Sequence, residues 1–297
     1  MVTPTARRAA VGEVQRMFAL SQRRACRVIG MARSTCRQPA PVAADGELRE
    51  RLRTLAAERP RFGYRRLQVL LGREGLAVNH KRVWRVYRDE GLAVRRKRRK
   101  RVAQQRRVLL APATTINERW SMDFVGDSLA DGRTFRAFTL VDDCSRESPA
   151  IVVDQSLPGE RIVRELDAVV AERGAPAMIV MDNGPEFTGK ALDAWAYQRG
   201  VKLHFIRPGK PTENAYIESF NGKFRDECLN EHWFIGLDHA REVIEAWRLD
   251  YNTVRPHSAL GNLPPAEFAQ RARADLRSPT APFVPPAGED IQPELSQ

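Results

Sequence analysis

From residue 119 onward, apolar and polar side chains alternate. The run 119–126 (RWSMDFVG) changes side at nearly every position, as does 134–142, and 148–154 adds a third run rich in Val and Ile. A period of two predicts strands, and the turn sequences Ala130-Asp131-Gly132 and Arg146-Glu147-Ser148 between them make the three antiparallel. A helix is expected at about 159–173. Residues 177–181 (AMIVM) are short and wholly apolar, the pattern of a strand buried on both faces. A helix at 188–199, a strand at 201–206 and a long helix from about 213 complete the series. This order predicts an α/β layer with a mixed five-stranded sheet flanked by helices.

Before residue 110 the period is helical. Residues 11–38 read as short helices: Ser21 can cap one that runs to about Ile29, Gly30 can end it, and Arg33, Ser34 and Thr35 open another. The pair fits a helix-turn-helix or simply a small helical pair with a basic surface, which gives a helical segment at 1–39. Residues 40–46 (APVAADG) read as a linker. Three helical patterns then fill 47–93. Leu48, Leu52 and Leu55 form the first; Tyr64, Leu67, Leu70 and Leu71 the second; Val83, Val86 and Tyr87, capped by Asn79, the third. The third helix also carries Lys81, Arg82, Arg85 and Arg88, so a compact three-helix unit of DNA-binding type is expected.

Charge sharpens the division. Residues 1–110 hold 29 Lys and Arg against 8 Asp and Glu, whereas 111–297 hold 20 against 29. A front half this basic points to a polyanion such as nucleic acid. Arg95, Arg96, Lys97, Arg98, Arg99, Lys100 and Arg101 form an unbroken run inside a basic linker, 94–110. Such a run repels itself and suits phosphate contact without sequence information. A Pro-rich tail, 279–297, reads as disordered. The four cysteines lack zinc-ligand spacing and are too sparse for a disulfide scaffold. No apolar run approaches the ~18 residues of a membrane span and no signal core opens the chain, so a cytoplasmic protein with no membrane partner is expected.

The acidic back half offers a candidate chemistry. Asp123 falls in mid-strand, where Asp is disfavoured and a buried charge needs a partner. Asp182 falls at the end of the buried strand, before the loop sequence Asn183-Gly184-Pro185, and ligands collect at such strand ends. Glu218 lies on the long helix, where Asn214, Glu218, Asn221 or Gly222, and Arg225 recur along one side while Tyr216, Phe220, Phe224 and Leu229 take more buried positions. Three carboxylates on separate elements can meet at one sheet edge. Their oxygens suit two Mg²⁺ or Mn²⁺ ions, the pair that clamps a phosphodiester.

WSMDF at 120–124, DNGPEF at 182–187 and NAYIESFNGKFRDECLNEHWF at 214–234 resemble the DDE transposases of bacterial insertion sequences. The 35 residues between Asp182 and Glu218 are the spacing typical of that group and of retroviral integrases. RFGYRRLQVLL at 61–71 and YNTVRPHSALG at 251–261 resemble the second-reading-frame protein, OrfB, of the insertion-sequence-three family. The resemblance implies an RNase H-like catalytic core over 114–270 and metal-dependent cleavage and strand transfer of double-stranded DNA. Asp123, Asp182 and Glu218 would be the metal ligands. Arg225, seven residues after Glu218, would contact DNA ends, with Asn214 and Lys223 as further candidates. In that family a separate frame, OrfA, supplies a leucine zipper. No sustained heptad occurs here, so an OrfA partner or frameshift fusion is expected, and a homo-oligomer on DNA. An RNase H-type nuclease and a catalytically idle DNA-binding regulator are the competing readings.

Overall fold

The computed structural model describes residues 4–37, 45–94, 110–207 and 211–277. The basic run Arg95–Arg101, the tail 279–297 and most of the linker at 40–46 lie outside these residues. The chain divides into two compact units, 1–94 and 95–297.

The first unit is all helical. Its first three helices are α1 (Pro4–Phe18), α2 (Gln22–Ile29) and α3 (Arg33–Arg37). Helix α1 starts seven residues before the reading from residue 11 placed it. Ser21 caps α2 by accepting from the Arg24 N–H, and Gly30 ends it at φ +67°, a left-handed turn that suits glycine. Val11, Ala25, Cys26 and Met31 form the small core between them. Helices α4 (Gly46–Glu58), α5 (Tyr64–Arg73) and α6 (His80–Asp89) follow. Of the apolar positions counted in the sequence, all but the half-buried Tyr64 are buried: Leu48, Leu52 and Leu55; Leu67, Leu70 and Leu71; Val83, Val86 and Tyr87. Asn79 caps α6 through the Lys81 N–H at 2.9 Å.

The second unit is built on five strands: β1 (Arg119–Ser128), β2 (Thr134–Asp142), β3 (Ala150–Asp154), β4 (Met178–Met181) and β5 (Lys202–Phe205). Their order is β3-β2-β1-β4-β5. The β1–β2 and β2–β3 pairs are antiparallel; β1–β4 and β4–β5 are parallel. This is the mixed sheet that the pattern predicts. Alternation along β1 sends Trp120, Met122 and Phe124 to one face, where they pack with α7 (Gly159–Arg173) and α8 (Lys190–Arg199) around Leu166, Ile162, Leu192 and Trp195. Val125 of β1, with Ala137 and Val141 of β2, turns to the other face, beneath α9 (Ala215–Glu227) and α10 (Leu237–Thr253). A last helix, α11, spans Pro265–Arg277. Burial of both faces accounts for the near-continuous apolar β4.

Candidate active site

The parallel register of β1 and β4 pairs Arg119 with Met178, Trp120 with Ile179 and Ser121 with Val180. Carried two steps further, it sets Asp123 abreast of Asp182, where β4 gives way to the loop that begins Asn183-Gly184. Neighbouring strands run about 4.8 Å apart, so this register brings the backbones of the two residues to the same end of the β1–β4 pair. The loop then wraps tightly. The Asp182 Oδ1 accepts from the Gly184 N–H at 3.1 Å. A Cβ on Gly184 would stand 3.1 Å from that same oxygen and 3.3 Å from Glu186 Oε2, so any larger side chain would have to displace a carboxylate.

Glu218 arrives from the opposite side. Ile217, Phe220 and Phe224 recur at i, i+3 and i+7 and bury one face of α9 against the sheet. Phe220 meets Tyr251 edge-on at 4.9 Å and Trp247 at 5.7 Å, both on α10. That packing fixes the roll of α9 and leaves Glu218 exposed on its flank. The charges of Asp182 and Glu218 both reach Asp123. Burial first, and these two carboxylates after it, push the Asp123 carboxyl up to about 6, against the lowering effect of the Phe124 N–H and the Asn221 amide. Three acidic side chains from β1, the end of β4 and α9 therefore share one electrostatic neighbourhood.

The sequence reading did not assign the groups that hold Asp123. Its Oδ1 accepts from the Phe124 N–H at 2.7 Å and its Oδ2 from the Asn221 side-chain amide at 2.8 Å. The amide is oriented in turn by Thr139, which is wholly buried and stands opposite Asp123 in the β1–β2 register. The Thr139 hydroxyl lies 2.9 Å from Asn221 Oδ1 and 3.1 Å from the Asp123 carbonyl. A polar residue in the middle of the apolar stretch 137–141 (AFTLV) was the available signal. Glu186, a fourth carboxylate beside Asp182, is neutralised by Arg136. That hydrogen-bonded pair holds Glu186 below the usual carboxylate range, and the Arg136 guanidinium also covers the Phe124 ring at 4.1 Å.

The remaining candidates are spread out. Asn214 is 4% exposed, one residue before α9, and not on an open surface. Its amide donates to the Met122 carbonyl at 3.3 Å, and its Oδ1 has no hydrogen-bond partner. Arg225 is exposed and reaches the Gly126 carbonyl at 3.3 Å. Lys223 is half-buried on the same helix. Lys81, Arg82 and Arg85 belong to the helical unit.

The donor chemistry of the site fits hard divalent cations. It offers carboxylate oxygens from Asp123, Asp182 and Glu218 and the orphaned, buried amide oxygen of Asn214 beside Met122. Among the described residues no three acidic, imidazole or thiol side chains are gathered into a ready ligand set. Like charges repel, and Asp123 and Asp182 take neutral N–H donors where the side chains stand.

Comparison with known proteins places the chain in a family. Two integrase core domain models match residues 113–211 and 199–265, and an HTH-like domain model matches 43–100. The chain is 54% identical over 263 residues to the uncharacterized 31.7 kDa protein of insertion element IS407 from Burkholderia multivorans, covering 88% of this chain and 95% of that protein. It is 26% identical over 240 residues to transposase InsD of insertion element IS2 from Escherichia coli, covering 76% and 79%. Among solved structures it is similar to the HTLV-2 integrase catalytic core domain in complex with magnesium. The TM-score is 0.40 and the identity 18%, covering 52% of this chain and 97% of that one. The matched family models define an integrase-core polynucleotidyl transferase with an HTH-like unit ahead of the core. The chain belongs to the insertion-element transposases, as an OrfB protein of the insertion-sequence-three family.

Proposed function

We propose that Asp123, Asp182 and Glu218 are the catalytic carboxylates, and that they hold two Mg²⁺ or Mn²⁺ ions for cleavage of the element's DNA ends and their joining to target DNA. The observation that carries the reading is the hydrogen bond from the Asn221 amide to Asp123 Oδ2 at 2.8 Å, which ties the helix that bears Glu218 to the strand that bears Asp123, with Asp182 at the end of the neighbouring β4. A half-buried carboxyl pushed up to about 6, with two further carboxylates acting on it, is a set of charges that a cation would relieve. When bound, such ions lower the pKa of a water or a 3′-hydroxyl and stabilise charge on the leaving oxygen.

The chain's own residues prepare the site. Asn221 and the Phe124 N–H hold the Asp123 carboxylate in one orientation, and Arg136 removes the charge of Glu186 from the Asp182 side. Arg225, exposed two turns along the same side of α9 as Glu218, suits contact with a DNA end. The basic run Arg95–Arg101 suits phosphates on either duplex. In this reading the protein works in the cytoplasm, at the nucleoid, as a homo-oligomer on double-stranded DNA, together with an OrfA partner or as a frameshift fusion.

The test is a strand-transfer assay in Mg²⁺ or Mn²⁺ with purified protein, fused to its upstream partner where the single chain is inactive. Asp123→Asn, Asp182→Asn and Glu218→Gln keep shape and remove charge. Each is expected to abolish cleavage and joining, to leave duplex binding intact and to melt no lower than the parent. Arg225→Ala is expected to weaken engagement of the DNA end without abolishing chemistry at saturating DNA. Joining by any of the three carboxylate variants at more than a few per cent of the parental rate would show that a different residue is catalytic.

A further inference from the structure

On α6, two of the three arginines that the sequence places on this basic helix are already engaged. Arg82 Nε and Arg85 Nη2 each donate to a different oxygen of Asp45 across 2.7 Å. Asp45 is 1% exposed, just ahead of α4. A carboxylate so buried is costly unless its cations stay with it, so this pairing belongs to the packing of α6 on α4. The unit uses two other carboxylates the same way: Glu90, just beyond α6, takes Arg49 and Arg53, and Glu74, just beyond α5, takes Arg51. All three acids tie α4 to its neighbours.

Val83, Val86 and Tyr87 are buried and Arg82 and Arg85 are hydrogen-bonded to Asp45, so the other outward side chains of α6 are the ones left without a carboxylate. Lys81, Trp84 and Arg88 fall at i, i+3 and i+7, so they share one side of the helix. All three are exposed, and among the described residues no carboxylate pairs with either cation. Trp84 is 44% exposed, with the Arg88 guanidinium stacked over its ring at 4.8 Å. A cationic stripe with a braced indole at its centre is complementary to a polyanion that also offers apolar surface. Duplex DNA presents both: phosphates for Lys81 and Arg88, and base edges and thymine methyls for an aromatic ring in the major groove.

We propose that Lys81, Trp84 and Arg88 form the surface with which the helical unit reads duplex DNA, and that Arg82 and Arg85 are struts holding α6 in place. The proposal rests on the DNA-binding function proposed above; in it Trp84 carries the sequence preference of this unit, and Lys81 and Arg88 hold the ring on the duplex through phosphates.

The experiment offers the full chain a pool of random-sequence duplexes, sequences what is retained, and then titrates one selected duplex at fixed salt. The parent protein is expected to select a consensus. Trp84→Ala should blur it and weaken binding to the selected duplex roughly tenfold to a hundredfold, the range for loss of a base-edge contact. Lys81→Ala and Arg88→Ala should weaken all duplexes alike. The double variant Arg82→Lys with Arg85→Lys keeps both charges on Asp45 but lacks the guanidinium fork that reads guanine, so it should select the parental consensus. The proposal is overturned if that double variant loses the consensus while Trp84→Ala keeps both consensus and affinity. Failure of the parent to retain any duplex is a separate result and overturns the DNA-binding reading itself.

Discussion

The side-chain amide of Asn221 on α9 donates to Oδ2 of Asp123 on β1 across 2.8 Å. This bond links the helix that carries Glu218 directly to the mid-strand aspartate, three residues along one helical face from the glutamate. Thr139 sits behind it and fixes which end of the amide faces the carboxylate. Two of the three candidate ligands are therefore held in register through a neutral side chain.

If that bond orients Asp123, Asn221→Ala should slow end joining by about threefold to tenfold, the worth of one net hydrogen bond, with little change in melting temperature. Thr139→Val, nearly the same size, should act in the same direction, and Thr139→Ser should restore the parental rate. Single-turnover joining rates at saturating DNA make the comparison. A parental rate in Thr139→Val would mean that the amide is oriented by something else.

Asp45 gives the helical unit an acid-sensitive joint. Burial raises its carboxyl, but the hydrogen bonds and charges of Arg82 and Arg85 outweigh burial and hold it below its ordinary value. A carboxyl lowered in the folded state contributes stability that is fully present above its unfolded pKa, about 3.9. That contribution is lost as pH falls through the lower folded value. Asp45→Asn should remove about 1–3 kcal/mol at neutral pH, and its melting temperature should fall less steeply than the parent's below pH 4. Calorimetry across pH 2.5 to 7 reads both; parallel curves would show that Asp45 contributes nothing through its charge.

The seating of α9 is an aromatic matter. Phe220 is buried against Tyr251 and Trp247. Phe220→Ala should cost about 3–5 kcal/mol, the usual range for a large aromatic core residue. Phe220→Leu should cost less and preserve the roll of the helix. Chemical denaturation measures the difference, and joining activity should follow stability across the pair because Glu218 rides on the same helix. Normal activity in a clearly destabilised Phe220→Ala protein would uncouple the packing of α9 from the position of Glu218.

The basic run calls for a salt titration. Replacing Arg95, Arg96, Lys97 and Arg98 with Ala should weaken binding to every duplex alike and reduce the log–log salt slope by up to about 0.9 for each phosphate contact removed. An unchanged slope would leave the run as a spacer.

Period and spacing alone determined much of this protein. Alternation along 119–126 and 134–142, and the apolar run at 177–181, already specified strands and which face each side chain takes, because side-chain direction in a strand follows from sequence position. The buried leucines of α4 and α5 were legible for the same reason, with the helical period in place of two. Asp123 stood out because a charge in mid-strand is hard to explain as packing; Asp182 and Glu218 stood out through motif and spacing, since an exposed Glu on an amphipathic helix is ordinary by itself. Tertiary structure decided what position along the chain cannot encode. The β1–β4 register set Asp123 abreast of Asp182. Packing on the sheet turned Asn221 toward Asp123 and left Asn214 buried. Asp45, 37 residues before Arg82 in the chain, engaged two of the helical unit's arginines and left Trp84 and its neighbouring cations without a carboxylate partner among the described residues. A cationic helix face looks the same in sequence whether its charges meet solvent or a buried carboxylate, because the partner's position is set by how the helices pack.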